Sequence, residues 1–190
     1  MRLFVAVTLD SVSCENVGSV ISELRKNVLF QSCLVRWISS PNLHLTLKFF
    51  GDLDSRRFEL LKRVISRPWR QSPFNVSLDS AGVFPLAGLP QVAWLGVNEG
   101  SSKLSVLNDE LHMRLSKHGF SMHRYQYLPH LTIGRIKRSS RRSGVKIRDI
   151  LRHLSLPSIR WTVDRVLLYE SKISSTGSIY HVKEEGLLNE

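Results

Sequence analysis

The sequence predicts an internally duplicated α+β protein, and three observations carry that expectation. Segments of strand-like, period-2 hydrophobicity are interleaved with segments of helical period along the 190 residues. The tetrapeptide His44-Leu45-Thr46-Leu47 returns 86 positions later as His130-Leu131-Thr132-Ile133, so each half of the chain carries one copy. Neither a Gly-rich dinucleotide turn nor a P-loop occurs, which removes the motifs expected of a nucleotide-binding, doubly wound parallel sheet. Length and a 42% hydrophobic content suffice for one domain over residues 1–190 with a core of ordinary size.

Residues 2–9 read as the first strand. Val12, Val17, Val20, Ile21, Leu24 and Val28 then recur at helical spacing, with Ser11 or Ser13 placed to cap the start. Residues 35–38 are short and extended, Pro41 breaks them, and residues 43–50 form the first motif strand, closed by Gly51 and Asp52. Asp52 or Asp54 can cap a helix whose stripe is Phe58, Leu61, Val64 and Ile65, and which stops before Pro68. Residues 74–83 and 91–97 look like two strands joined by a turn rich in Pro and Gly. From Ser101 or Ser102, the residues Leu104, Leu107, Leu111 and Leu115 run at helical spacing to His118, with Gly119 where a C-cap belongs. The second motif strand spans residues 129–136. A polar, flexible break over 139–144, a helix over 145–154, and strands over 161–169 and 179–182 complete the chain.

In the first motif Leu43, Leu45 and Leu47 alternate, which places His44 and Thr46 together on the opposite face. His130 and Thr132 repeat the arrangement. A lone strand histidine is more often structural than catalytic, and a lone strand threonine is ordinary. Two copies at the same offsets, each with a proline within three residues upstream, are hard to explain as packing. Two imidazoles supply a proton acceptor and a proton donor, because an ordinary histidine pKa of about 6.5 lets both forms exist near neutrality. Two hydroxyls donate hydrogen bonds to non-bridging oxygens, so a phosphodiester is the substrate this equipment fits. Lys48 and Phe50 share the His44 face by parity, as possible phosphate and base contacts. Arg135 has the right guanidinium for phosphate, yet strict alternation sends it to the face opposite His130 unless Gly134 bulges or bends the strand. His112, His118, His123, His153 and His181 lack matching motifs and are read as structural or surface residues.

The formal net charge of +11 favours polyanionic partners, nucleic acid above all. Cys14 and Cys33 are isolated, with no zinc-like clustering, which fits a reducing cytoplasm. Residues 3–7 are too short for a signal-peptide core, and no stretch approaches the roughly 18–20 apolar residues of a membrane span. No metal or cofactor is implied, since two histidines on separate strands make a poor ligand set.

The two motifs, with Arg2-Leu3-Phe4-Val5-Ala6-Val7, Trp37 ahead of Asn42-Leu43-His44, Phe50-Gly51, Phe84-Pro85, Trp94-Leu95-Gly96, Arg135, Leu168-Tyr169-Glu170-Ser171 and Tyr180, give a sequence that resembles the 2H phosphoesterases. Within them it is similar to the bacterial and archaeal RNA 2',3'-cyclic phosphodiesterases once called 2'-5' RNA ligases. The resemblance implies a bilobal fold, two antiparallel-rich sheets facing a central cleft with helices outside. It implies metal-independent hydrolysis of RNA 2',3'-cyclic phosphate ends to 2'-phosphomonoesters, with His44 as general base, His130 as general acid, and Thr46, Thr132 and Arg135 holding the phosphate. RNA or nucleotides ending in a cyclic phosphate are the implied partners, and a monomer is expected. Two alternatives stand beside this reading: formation or cleavage of 2'-5' linkages at the same site, and a non-catalytic RNA-binding module. Both motifs are intact, and a relict site would be free to lose one.

Overall fold

The structure, a computed structural model, describes residues 1–120, 127–175 and 177–189, with the backbone but not the side chain of Arg138. His123 lies outside the described residues. The opening apolar run, Leu3 to Val7, is the body of strand β1 (Arg2–Thr8) and is continuous because both faces are covered. Leu3, Val5 and Val7 point into the main core, whereas Phe4 and Ala6 join a second cluster with Leu167 and Tyr169.

Helix α1 (Ser11–Lys26) is capped by Asp10, whose carboxylate accepts from Ser13 N at 2.7 Å; Ser11 and Ser13, the expected caps, lie inside the helix. Asn27 ends α1 and caps a short α2 (Val28–Gln31), so Val28 opens a new helix rather than extending the stripe. Strand β2 (Leu34–Trp37) leads through a 3-10 turn at Ser40–Asn42 into β3 (His44–Asp52), and Asp54 caps α3 (Ser55–Ile65). Strands β4 (Phe74–Phe84) and β5 (Val92–Val97) precede α4 (Ser101–Ser116), beyond which Gly119 takes φ +72°, a conformation only glycine adopts cheaply.

After β6 (His130–Arg138) the chain turns at once into α5 (Arg141–Arg152). The expected flexible break over 139–144 is instead a capping box: Ser143 N donates to Ser140 Oγ at 3.1 Å and Ser140 N donates to Ser143 Oγ at 2.9 Å. The serines that read as loop formers are helix starters. The closing strands are β7 (Ile159–Val163), β8 (Arg165–Ile173) and β9 (Ser178–Leu187), the first two divided at Asp164.

All strand pairs in this α+β fold are antiparallel, in the order β7-β4-β5-β6-β3-β1-β8-β9, with β2 also paired to β6. Among the described residues the two sheets implied by the resemblance are thus two halves of one nine-stranded sheet, each containing one motif strand, and they meet at the rung Leu45–Leu131. Both leucines are fully buried. Helix α3 packs on β8 and β9, α5 on β4, and α1 on β7. Burying each large aliphatic side chain of this core contributes roughly 1.5–3 kcal/mol.

Candidate active site

The Leu45–Leu131 rung fixes the site. One step to either side of it, antiparallel geometry brings His44 toward Thr132 and Thr46 toward His130, all four on the face opposite the buried leucines. Each histidine then makes the same local hydrogen bond. His44 Nδ1 lies 2.7 Å from the carbonyl of Asn42, and His130 Nδ1 lies 2.8 Å from the carbonyl of Leu128. A carbonyl only accepts, so Nδ1 carries the proton in both rings and Nε2 is left for proton transfer. The 3-10 turn holds the first of these acceptors, and Asn42 is itself tied to Ser178 O at 2.8 Å.

A β-bulge follows each motif at the same offset. On β3, Lys48 pairs with Val5 and Thr46 with Ala6, leaving Leu47 as the extra residue; on β6, Gly134 pairs with Ala93 and Thr132 with Trp94, leaving Ile133. Both extra residues stand three positions after the histidine. Their carbonyls are satisfied from outside the ladder, Leu47 O by Asn108 Nδ2 of α4 at 2.7 Å and Ile133 O by Ile38 N at 2.9 Å.

The bulges reverse parity, which corrects the placement expected of Lys48 and Phe50 and meets the condition set for Arg135. Lys48 turns to the Val5 face, is 5% exposed and sits over the Phe50 ring at 5.8 Å, so it does not line the site. Phe50 is the extra residue of a second bulge and packs edge-on against Phe120 at 5.5 Å, a packing role away from the histidines. Arg135, opposite Val92 across β5, returns to the His130 face. The device is the Ile133 bulge; Gly134 has another task, since a Cβ there would meet the Trp37 ring at 3.0 Å.

Aromatic packing surrounds each imidazole. Phe4 lies 4.8 Å and Tyr180 5.3 Å from the His44 ring, and Phe84 meets the His130 ring edge-on at 5.0 Å. Burial therefore pushes the His44 pKa down to about 4; the Asn42 carbonyl opposes this, and repulsion from Arg135 and His130 adds to it. His130 is also lowered, by desolvation first, with the Leu128 carbonyl opposing. His44 feels both His130 and Arg135, so the three groups share one field.

Two neighbours escaped sequence reasoning. Arg36 stands directly opposite Arg135 in the β2–β6 register and so shares its face. Like charges in that position destabilise a ladder by a few tenths of a kcal/mol or more, and among the described residues neither guanidinium has an ion-pair partner. Their juxtaposition suits an anion between them. Phe49, 57% exposed, occupies the same offset in the first motif as Arg135 in the second and faces the site beside Phe4. Parity hid it, and only the bulge reveals it. Of the remaining histidines, His112 is on α4, His118 follows it, His153 caps α5 with Nδ1 2.9 Å from Asp149 O, and His181 is exposed on β9.

A pair of histidines with matched tautomers, two threonines and an arginine pair on one face of an antiparallel sheet define a class of site built for acid–base chemistry on an anion. Residues 14–172 match the family model described as the 2'-5' RNA ligase superfamily. The chain belongs to that superfamily. Among its relatives, the RNA 2',3'-cyclic phosphodiesterase of Thermotoga maritima is 34% identical over 186 residues, covering 97% of this chain and 94% of the relative. That of Methanothermobacter thermautotrophicus is 34% identical over 182 residues, covering 95% of each. Among solved structures, TT0787 of Thermus thermophilus superposes with a TM-score of 0.74 at 21% identity, over 98% of this chain and 97% of the other. E. coli LigT complexed with 3'-AMP gives a TM-score of 0.74 at 23% identity, over 100% of this chain and 98% of the other. These last two likenesses establish the fold.

Proposed function

We propose that this chain hydrolyses RNA 2',3'-cyclic phosphate ends to 2'-phosphomonoesters by paired-histidine acid–base catalysis. The observation that carries the reading is the duplicated Nδ1–carbonyl bond, which leaves Nε2 of His44 and of His130 for the substrate in the same tautomer. His44, its pKa held low, is neutral at neutral pH and takes a proton from water through Nε2. The water oxygen forms a bond to phosphorus as the bond to O3' breaks. His130 in its protonated form delivers a proton from Nε2 to O3', leaving a 2'-phosphate and a 3'-hydroxyl. Thr46, Thr132 and Arg135 hold the non-bridging oxygens, where negative charge concentrates, with Arg36 adding to the field. The phosphate's own charge favours protonated imidazoles, which loads His130 on binding. The relatives named RNA 2',3'-cyclic phosphodiesterase support the same substrate class.

The test is incubation of the purified protein with each nucleoside 2',3'-cyclic phosphate and with an oligoribonucleotide ending in one, followed by separation of 2'- from 3'-phosphate products. Exclusive 2'-phosphate is expected. A 3'-phosphate product would reverse the assignment of the departing oxygen, and tight binding without turnover of any of these substrates would return the chain to the RNA-binding reading.

A further inference from the structure

Resting on that reading, we propose that the groove between β5, α2 and the first turns of α5 is a track for the RNA chain, holding phosphates on the 5' side of the cyclic end. This groove has a volume of about 970 Å³ and begins at Arg135, whose charge reaches His44. Lys137, Arg142 and Lys146 also line it, together with Gln91 and Ser139. Among the described residues no carboxylate lines it. Among the same residues none of these four cations takes part in an ion pair, although seven ion pairs occur elsewhere.

Two features separate this groove from a basic surface kept for solubility. Arg141 and Arg142 occupy the first turn of α5, which holds no acidic residue. Cations at a helix N-terminus oppose the macrodipole by about 0.3–1 kcal/mol each, so the sequence tolerates a local penalty there that a bound phosphate would reverse. The capping box gives that penalty a rigid frame, where a flexible loop would let the charges swing away. The cations of this segment also divide by task. Arg148 donates to the carbonyls of Pro85 and Gly88 and so braces the β4–β5 turn, which removes it from the track.

The chemistry fixes the direction. A cyclic phosphate ends an RNA chain at its 3' side, so every further phosphate lies upstream, and a groove opening at the phosphate-binding Arg135 meets the upstream ones first. A mononucleotide is too short to enter.

The experiment uses the double variant R142E/K146E in the full chain. A glutamate at the second position of α5 complements the macrodipole, so folding is preserved, and thermal unfolding verifies it. On wild type, log(kcat/KM) against log[salt] should be steeper for a single-stranded oligoribonucleotide with a cyclic phosphate end than for a mononucleoside 2',3'-cyclic phosphate. Removing two contacts on a single strand should flatten the oligonucleotide slope by about 1.4, which amounts to roughly sevenfold between 50 and 200 mM salt, and leave mononucleotide turnover within twofold. Equal losses on both substrates, or an unchanged oligonucleotide slope, overturn the track. Fluorescence anisotropy with an unreactive oligonucleotide ending in a 3'-phosphate reads the groove without catalysis: weaker binding by the variant supports the track and equal binding refutes it. If wild type turned over neither substrate, the proposed activity would fail while the anisotropy still decided the groove.

Discussion

Replacing His44 by glutamine removes the proton acceptor of the proposed mechanism, and the effect to expect follows from the surroundings of the imidazole. The folded pKa of about 4, against the ordinary imidazole value of about 6.5, corresponds to roughly 3 kcal/mol of disfavoured protonation. Desolvation against Phe4 and Tyr180 leads, with the Arg135 and His130 charges adding. In kcat/KM for a nucleoside 2',3'-cyclic phosphate, the acid limb should therefore fall near pH 4, and the alkaline limb, set by His130, below about 6.5. The free-enzyme optimum should lie between these two limbs. The kcat profile should lie at higher pH, because a bound phosphate raises both imidazoles. His44→Gln should cost about a hundredfold to ten-thousandfold in kcat, or roughly 3–5 kcal/mol of barrier, and abolish the limb near pH 4. Stability gives a second readout. A depressed folded pKa means that the His44 contribution is whole above the unfolded value of about 6.5 and is lost as pH falls toward about 4, so wild type should lose roughly 3 kcal/mol across that window through His44, and the variant should be spared that loss. Wild-type turnover in the variant, or an acid limb that stays in place without His44, would refute the assignment.

Asn108→Ala should destabilise the fold by about 1–3 kcal/mol in denaturant titration, because the buried carbonyl of Leu47 loses its donor; it should also lower kcat as the bulge relaxes, and a variant as stable as wild type would show that the bulge needs no such support. Lys48→Met should leave KM for a cyclic nucleotide within about twofold, since the side chain lies on the core face, whereas a tenfold rise would put the ammonium back in the site. Thr46→Ala and Thr132→Ala should each cost less than His44→Gln, about tenfold to a hundredfold in kcat, because a hydroxyl donates a hydrogen bond but transfers no proton; a loss of about ten-thousandfold would require a different role.

The sequence by itself determined the duplicated motif, its two histidines and two threonines, and the run of strands and helices around them, because side-chain alternation and helical spacing are local and repeat along the chain. It also carried the two clues that looked like loop chemistry, Ser140 and Ser143, which the folded chain uses to start a helix instead. Tertiary structure alone decided what lies beyond His44 and His130. An extra residue at Leu47 and at Ile133 breaks the period of two, and whether a strand admits that residue depends on donors from distant segments, Asn108 on α4 and Ile38 after β2. Those donors cannot be read from the handful of residues around each motif. They send Lys48 into the core and bring Phe49, Arg135 and, across the ladder, Arg36 to the site, so parity held for the face shared by the two histidines and two threonines and failed for the residues that follow them. The depressed histidine pKa values have the same origin, since Phe4, Phe84 and Tyr180 reach the imidazoles only once the strands that carry them are paired.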